Sequence, residues 1–94
     1  MAENGGRSEI RSDMNIRFTP RARQDFGGLP PDLKTRVRKK FDLLQDNLRH
    51  PSIQAKKYDE TNDIWQGRVN RDYRFYFQIV DNEYVIVRII PHPK

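Results

Sequence analysis

The sequence predicts an α+β domain of order β-α-α-β-β-β, an N-terminal helical hairpin packed on a small antiparallel sheet. Three observations lead to it. Leu33, Val37, Phe41, Leu44 and Leu48 step by four, four, three and four residues, which lays one apolar stripe along a single helix. After Ser52 the spacing changes to the alternation of strands, with Ile64, Gln66, Arg68 and Asn70 on one face and Trp65, Gly67 and Val69 on the other. The densest apolar segments, Ile79-Val80, Val85-Ile86-Val87 and Ile89-Ile90, lie on either side of Asp81-Asn82, a tight-turn pair.

The elements follow in order. Residues 1–15 mix Gly5-Gly6 with Arg, Ser, Glu and Asp without an apolar period, and read as a disordered tail before a single domain over residues 16–94. Asn15-Ile16-Arg17-Phe18 alternates as a short half-buried strand does. Thr19-Pro20 supplies an N-cap and a first helical position, and Ala22, Phe26 and Leu29 recur at helical spacing across a break at Gly27-Gly28. Pro30-Pro31-Asp32 starts the second helix and His50-Pro51 ends it, with His50 read as a capping cation. The short Gly/Pro connection makes the pair an αα-hairpin. Ala55–Tyr58 is a further candidate strand, and Ile64–Asn70, Tyr73–Val80 and Glu83–Ile90 form an antiparallel meander.

With 94 residues, 35% apolar and 33% charged, the chain has material for one core. No run approaches the ~20 apolar residues of a membrane-crossing helix, and no signal peptide pattern is present. A soluble cytoplasmic protein without a membrane partner is the expectation. The absence of Cys excludes a disulfide scaffold and a thiolate zinc site, and the two His do not make a His-only metal cluster. Neither a metal nor a small-molecule cofactor is expected. The net charge of +5 points to an anionic partner. Arg7 and Arg11 against Glu3, Glu9 and Asp13 leave the tail slightly acidic, so the basicity belongs to the folded part. Lys34, Arg36, Arg38, Lys39 and Lys40 form either a solvated helix face or a phosphate-tracking surface.

The chemistry-bearing residues cluster late in the chain. Arg68, Arg71 and Arg74 fall within seven residues, and in a regular strand Arg68 and Arg74 share a face. A guanidinium on a sheet is costly to bury, so these two either pair with Asp59, Asp63 or Asp72 or face an open groove. An Arg array on a concave sheet is also suited to a phosphorane-like transition state, because forked donors neutralise its charge. His92, stiffened by Pro91 and Pro93, is either a bare terminal residue or a general acid–base group. No Gly-rich phosphate loop, His-x-x-x-His pair or activated Ser is present. Catalysis by Arg, Lys and His alone points to phosphodiester transfer onto a 2′-hydroxyl, and so to RNA.

Trp65, Arg68-Val69, Asp72-Tyr73-Arg74 and Phe75-Tyr76-Phe77, preceded by Phe26-x-x-Leu29-Pro30 and a long basic helix, resemble the RelE/ParE superfamily of bacterial type II toxins. The resemblance runs from Ile16 to Lys94. It implies a β-α-α-β-β-β toxin neutralised by a cognate antitoxin. In RelE-like members the activity is ribosome-dependent cleavage of mRNA. ParE-like members inhibit DNA gyrase instead, and a non-toxic protein-binding module is a third reading. The resemblance implies that Arg74 contacts the scissile phosphate, that Arg68 lines the RNA site, and that His92 occupies the His position of the YoeB branch, with Pro93 where that branch has Tyr. Lys56 and Lys57 lie near residues that activate the 2′-hydroxyl, Arg71 and Lys94 would add phosphate contacts, and Glu60 is the nearest substitute for a carboxylate base.

Overall fold

The first strand, β1 (Asn15–Phe18), pairs in parallel with the last, β5 (Glu83–Pro91), so the opening and closing strands of the domain lie side by side. This computed structural model describes residues 14–93. Between those strands come α1 (Pro20–Gly27), α2 (Pro31–Asp46), β2 (Lys56–Asp59), β3 (Ile64–Arg68) and β4 (Tyr73–Val80). The sheet order is β1-β5-β4-β3-β2, and β2 to β5 form the antiparallel meander. The expected order is thus extended by one strand, because the candidate at Ala55–Tyr58 forms one residue later, as β2.

The tail over residues 1–13 lies outside the described residues. Asn15 already belongs to β1, and the Met14 carbonyl accepts a hydrogen bond from the Gln45 amide at 2.8 Å. Met14 and Asn15, ahead of Ile16, therefore take part in the described fold.

Local chemistry sets the helix boundaries. The Thr19 hydroxyl accepts from the Ala22 N–H at 3.1 Å and Pro20 takes the first helical position, as an N-terminus favours. In α2 the buried residues are Leu33, Val37, Phe41 and Leu44, the stripe read from spacing. The helix stops at Asp46, so Leu48 packs on the core from beyond it. His50 is not a cap: its Nδ1 accepts the Ser52 N–H at 3.2 Å and organises the loop after the helix.

The core is aromatic. Phe41 meets Phe18 at 5.6 Å and Phe75 at 5.0 Å between ring centroids, both edge-on, and Phe75 stacks beside Phe77 at 5.4 Å. Edge-to-face packing suits the ring quadrupole and fills volume without voids. Phe75, Phe77, Ile86, Leu44 and Ile53 are fully buried among these rings.

α1 is held to the sheet by a polar clamp. β1 runs out at Phe18, opposite Ile86, and leaves the next stretch of β5 without a strand neighbour on that side. Side chains take its place. The Thr19 hydroxyl donates to the Val87 carbonyl at 3.4 Å, and the Asp25 carboxylate accepts the Ile89 N–H at 3.0 Å. The same carboxylate takes both arms of Arg88, at 2.8 and 3.3 Å. A bulge between Tyr76 and Phe77 in the β4–β5 register allows this turn-out of β5.

Burial alone would raise the Asp25 carboxyl. The hydrogen bonds from Arg88 and the Ile89 N–H, with the charges of Arg88 and Arg21, outweigh it and leave the group below the ordinary carboxylate value. A lowered folded-state value gives stability that is fully present above the unfolded carboxylate range and lost as pH falls through the folded value. Asp25→Ala is expected to cost about 1–3 kcal/mol at neutral pH, measured by denaturant melts. The gap from the parent should narrow below about pH 4. A gap that stays constant down to pH 2 would assign the effect to packing instead of charge.

Candidate functional site

The site is built on the β3–β4 pair. Its register sets Trp65 opposite Phe77, Gln66 opposite Tyr76, Gly67 opposite Phe75 and Arg68 opposite Arg74. Gly67 is glycine for space: a Cβ there would collide with the Phe75 ring, whose Cζ end lies against the strand at that point. That contact fixes Gly67 and Phe75 on the core side. The alternation of strands then sends Gln66, Arg68, Arg74 and Tyr76 to the open side.

On that open side a cleft of about 160 Å³ is lined by Gln54, Lys56, Gln66, Gly67, Arg68, Arg74 and His92. Arg74 Nη1 donates to the carbonyls of Asn70 at 2.7 Å and Tyr73 at 3.1 Å. The Asn70 side-chain oxygen in turn accepts the N–H groups of Asp72 and Tyr73, both at 2.9 Å. The turn therefore orients one nitrogen of the fork and leaves Nε and Nη2 without a protein acceptor among the described residues. Arg68 Nη1 donates to the Gln54 side-chain oxygen at 3.1 Å, and Gln54 holds a left-handed backbone at φ 51. Non-glycine residues adopt that conformation at a cost that surrounding structure must offset. His92 is placed by its backbone, whose N–H donates to the Asp72 carbonyl at 2.7 Å, with Pro91 opposite Tyr73.

Of the carboxylates weighed as partners for the two arginines, Asp59, Asp63 and Asp72 reach neither. The described ion pairs are Arg17–Glu83, Lys57–Glu60, Lys57–Asp63 and Arg88–Asp25. Arg68 and Arg74 share a face as cross-strand partners, not as residues of one strand, because β3 ends at Arg68 and a turn precedes Tyr73. Lys40 of α2 adds to the positive potential. It donates to the Ser52 carbonyl at 2.9 Å, and its pKa is lowered by burial first and then by Arg36 and Arg68.

Four expected residues thus meet: Arg74, Arg68, His92 and Lys56. Lys57 does not join them. It faces the other way, 2.9 Å from Asp63 and 5.2 Å from the Trp65 ring, and Asp63 holds its ammonium above the ordinary value. Glu60 lies beside Lys57, away from the cleft. Arg71 sits exposed in the turn, contributing its carbonyl to Arg74 at 3.4 Å, and Lys94 lies outside the described residues. Sequence reasoning missed Gln54 and Gln66, since neutral amides carry no charge or motif signal.

This arrangement can do one thing well: hold an anion between two forked donors with a lysine and an imidazole at its margin. A helical hairpin on a meander sheet carrying such a cleft is the architecture of the RelE/ParE class of small toxins. The chain belongs to the family of ParE toxins of type II toxin-antitoxin systems, whose family model matches residues 16–93. The fold is similar to a YoeB/ParE toxin from Agrobacterium tumefaciens, at 9% identity and TM-score 0.73, covering 85% of this chain and 100% of that one. It is similar also to the RelBE2 toxin-antitoxin complex of Mycobacterium tuberculosis, at 29% identity and TM-score 0.66, over 84% and 98% of the two chains. A third likeness is to the archaeal RelE-RelB complex of Pyrococcus horikoshii, at 18% identity and TM-score 0.69, over 84% and 94%. No curated protein sequence matches the chain. The protein is therefore a type II toxin of the RelE/ParE superfamily. Among the described residues no helix is long and apolar enough to cross a membrane.

Gly67 tests how the cleft is held. The Phe75 ring has no free volume to yield, being fully buried between Phe41 and Phe77. Gly67→Ala is expected to cost about 1–3 kcal/mol through overpacking, read from thermal and denaturant melts. An unchanged melt would mean that the ring does not lie against the strand.

Proposed function

We propose that this toxin is a metal-independent endonuclease that cleaves mRNA on the ribosome and is neutralised by a cognate antitoxin. The observation that carries the reading is the convergence of Lys56, Arg68, Arg74 and His92 on one cleft where, among the described residues, no carboxylate is bound to either arginine. Like charges set directly opposite each other on a ladder are unfavourable, and a sequence that retains them gains by holding an anion.

The reaction follows from the groups present. The 2′-hydroxyl attacks the adjacent phosphorus and the bond to the 5′-oxygen breaks, giving a 2′,3′-cyclic phosphate and a 5′-hydroxyl. Arg74 and Arg68 hold the non-bridging oxygens, whose charge grows in the transition state. Lys56 assists removal of the 2′-hydroxyl proton, and His92 delivers a proton to the leaving 5′-oxygen. The antitoxin assignment is supported by similar structures that are toxin-antitoxin complexes.

Induced expression with parallel assays of translation and DNA supercoiling tests the target. Arrest of translation with mRNA cut on ribosomes is expected. Loss of supercoiling with translation intact would establish gyrase as the target instead. Arg74→Ala should lower cleavage by about 10²–10³, the usual effect of losing one transition-state donor. Arg74→Lys should recover little, because an ammonium lacks the fork. Both variants should stay folded, since among the described residues the Arg74 side chain hydrogen-bonds only to turn carbonyls. Retained growth arrest in folded Arg74→Ala would remove the nuclease reading. His92→Gln should bind programmed ribosomes as the parent does and cut about 10²–10⁴ more slowly in a single turnover. A parental rate would reduce His92 to a tail residue.

A further inference from the structure

The basic cleft continues along the open face of the sheet into a largely apolar shelf of about 240 Å³, lined by Tyr58, Ile64, Tyr76, Val87, Ile90 and Pro93, with Arg88 as its charged member. Tyr58 is 60% exposed, a large aromatic ring left in solvent, and it meets the buried Tyr76 ring edge-on at 4.8 Å. The two regions are neighbours across the sheet. Tyr76 follows Arg74 by two residues on β4, roughly 7 Å along one face, and Tyr58, at the register shift of β2 between Lys57 and Asp59, lies against the Tyr76 ring on that same face.

Gln66 stands at their junction. Its register partners are Lys56 on one side and Tyr76 on the other, and it lines the cleft. It is 6% exposed, yet its side-chain amide has no hydrogen-bond partner among the described residues. A buried amide left unpaired is destabilising, and native structures rarely keep one without a reason.

We propose that the shelf and Gln66 together form a subsite for one unpaired RNA base, that of a nucleotide flanking the phosphate held by Arg68 and Arg74. The base stacks on Tyr58, and the Gln66 amide offers a donor and an acceptor to its edge. Stacking on an aromatic ring tolerates any base, whereas the amide favours an edge that presents both a donor and an acceptor side by side. The phosphate clamp fixes where the strand lies, and the shelf fixes which base is splayed out beside it. This subsite rests on the nuclease reading above and adds to it a second point of contact with the substrate.

The test uses the full chain with ribosomes programmed with a short mRNA, intact or carrying an abasic nucleotide on either side of the cleavage point. Tyr58→Ala should raise the concentration for half-maximal cleavage about tenfold, with a much smaller effect on the saturated rate, and Tyr58→Phe should behave as the parent. Gln66→Leu should weaken substrate binding roughly tenfold while leaving the melting temperature equal to or above the parent's, since it removes an unpaired buried amide. A merely structural glutamine would lower it. Both effects should vanish on the mRNA that is abasic at one of the two flanking positions. Parental behaviour of Tyr58→Ala on intact mRNA, or an effect that persists on both abasic substrates, overturns the subsite while leaving the nuclease reading in place. Loss of antitoxin binding by Tyr58→Ala with cleavage unaltered would reassign the shelf as a protein interface. Absence of cleavage by the parent itself overturns both readings.

Discussion

The close contact between Gly67 and the Phe75 ring governs the arrangement of this domain, because it fixes the register of β3 against β4. Phe75 is also the link between the Phe41 ring of α2 and the Phe77 ring of the sheet. A one-residue slip would turn every side chain of β3 to the opposite face. Arg68 would then point at an apolar core, at a desolvation cost that nothing in that core offsets. The apolar packing on one face thus enforces the placement of Arg68 opposite Arg74 on the other. Stability and the cleft are consequences of the same register.

The cleft itself is organised against local preference. Two guanidinium groups oppose each other, Gln54 adopts a left-handed backbone, and Gln66 keeps a buried amide unpaired. Each is unfavourable alone, and all three line one concavity. Main-chain carbonyls of the Asn70–Tyr73 turn and the Gln54 side chain moderate the charge without neutralising it, as a carboxylate would. What is left is a set of donors that no carboxylate among the described residues neutralises.

The far edge of the sheet solves a different problem. β1 is too short to accompany β5 along its length, and Asp25 from α1 substitutes for it by accepting the Ile89 N–H and gripping Arg88. Its side chain is 13% exposed, so the pair is shielded from solvent more than an ordinary surface ion pair. The clamp joins helix to strand where no ladder hydrogen bond is available. Arg88, like Arg17 beside Glu83, is therefore a structural cation, unlike the two arginines of the cleft.

The sequence by itself determined the elements and their order, because spacing reports which face of each is apolar. The α2 stripe and the turn at Asp81-Asn82 were legible in that way, and Arg74 and His92 stood out by residue type and setting before the resemblance gave them roles. Tertiary structure decided what spacing cannot encode. The parallel pairing of β1 with β5 joins residues almost seventy positions apart, and Asp25 finds Arg88 and Ile89 at similar range. Lys56 and Lys57 are adjacent and chemically alike, yet only the alternation of β2 sends Lys56 to the cleft and Lys57 to Asp63 and Trp65. Gln54 and Gln66 gain their meaning from burial and partners, which depend on the surrounding fold. A sequence states which groups are present and how they repeat, whereas desolvation and hydrogen-bond satisfaction belong to the packed structure.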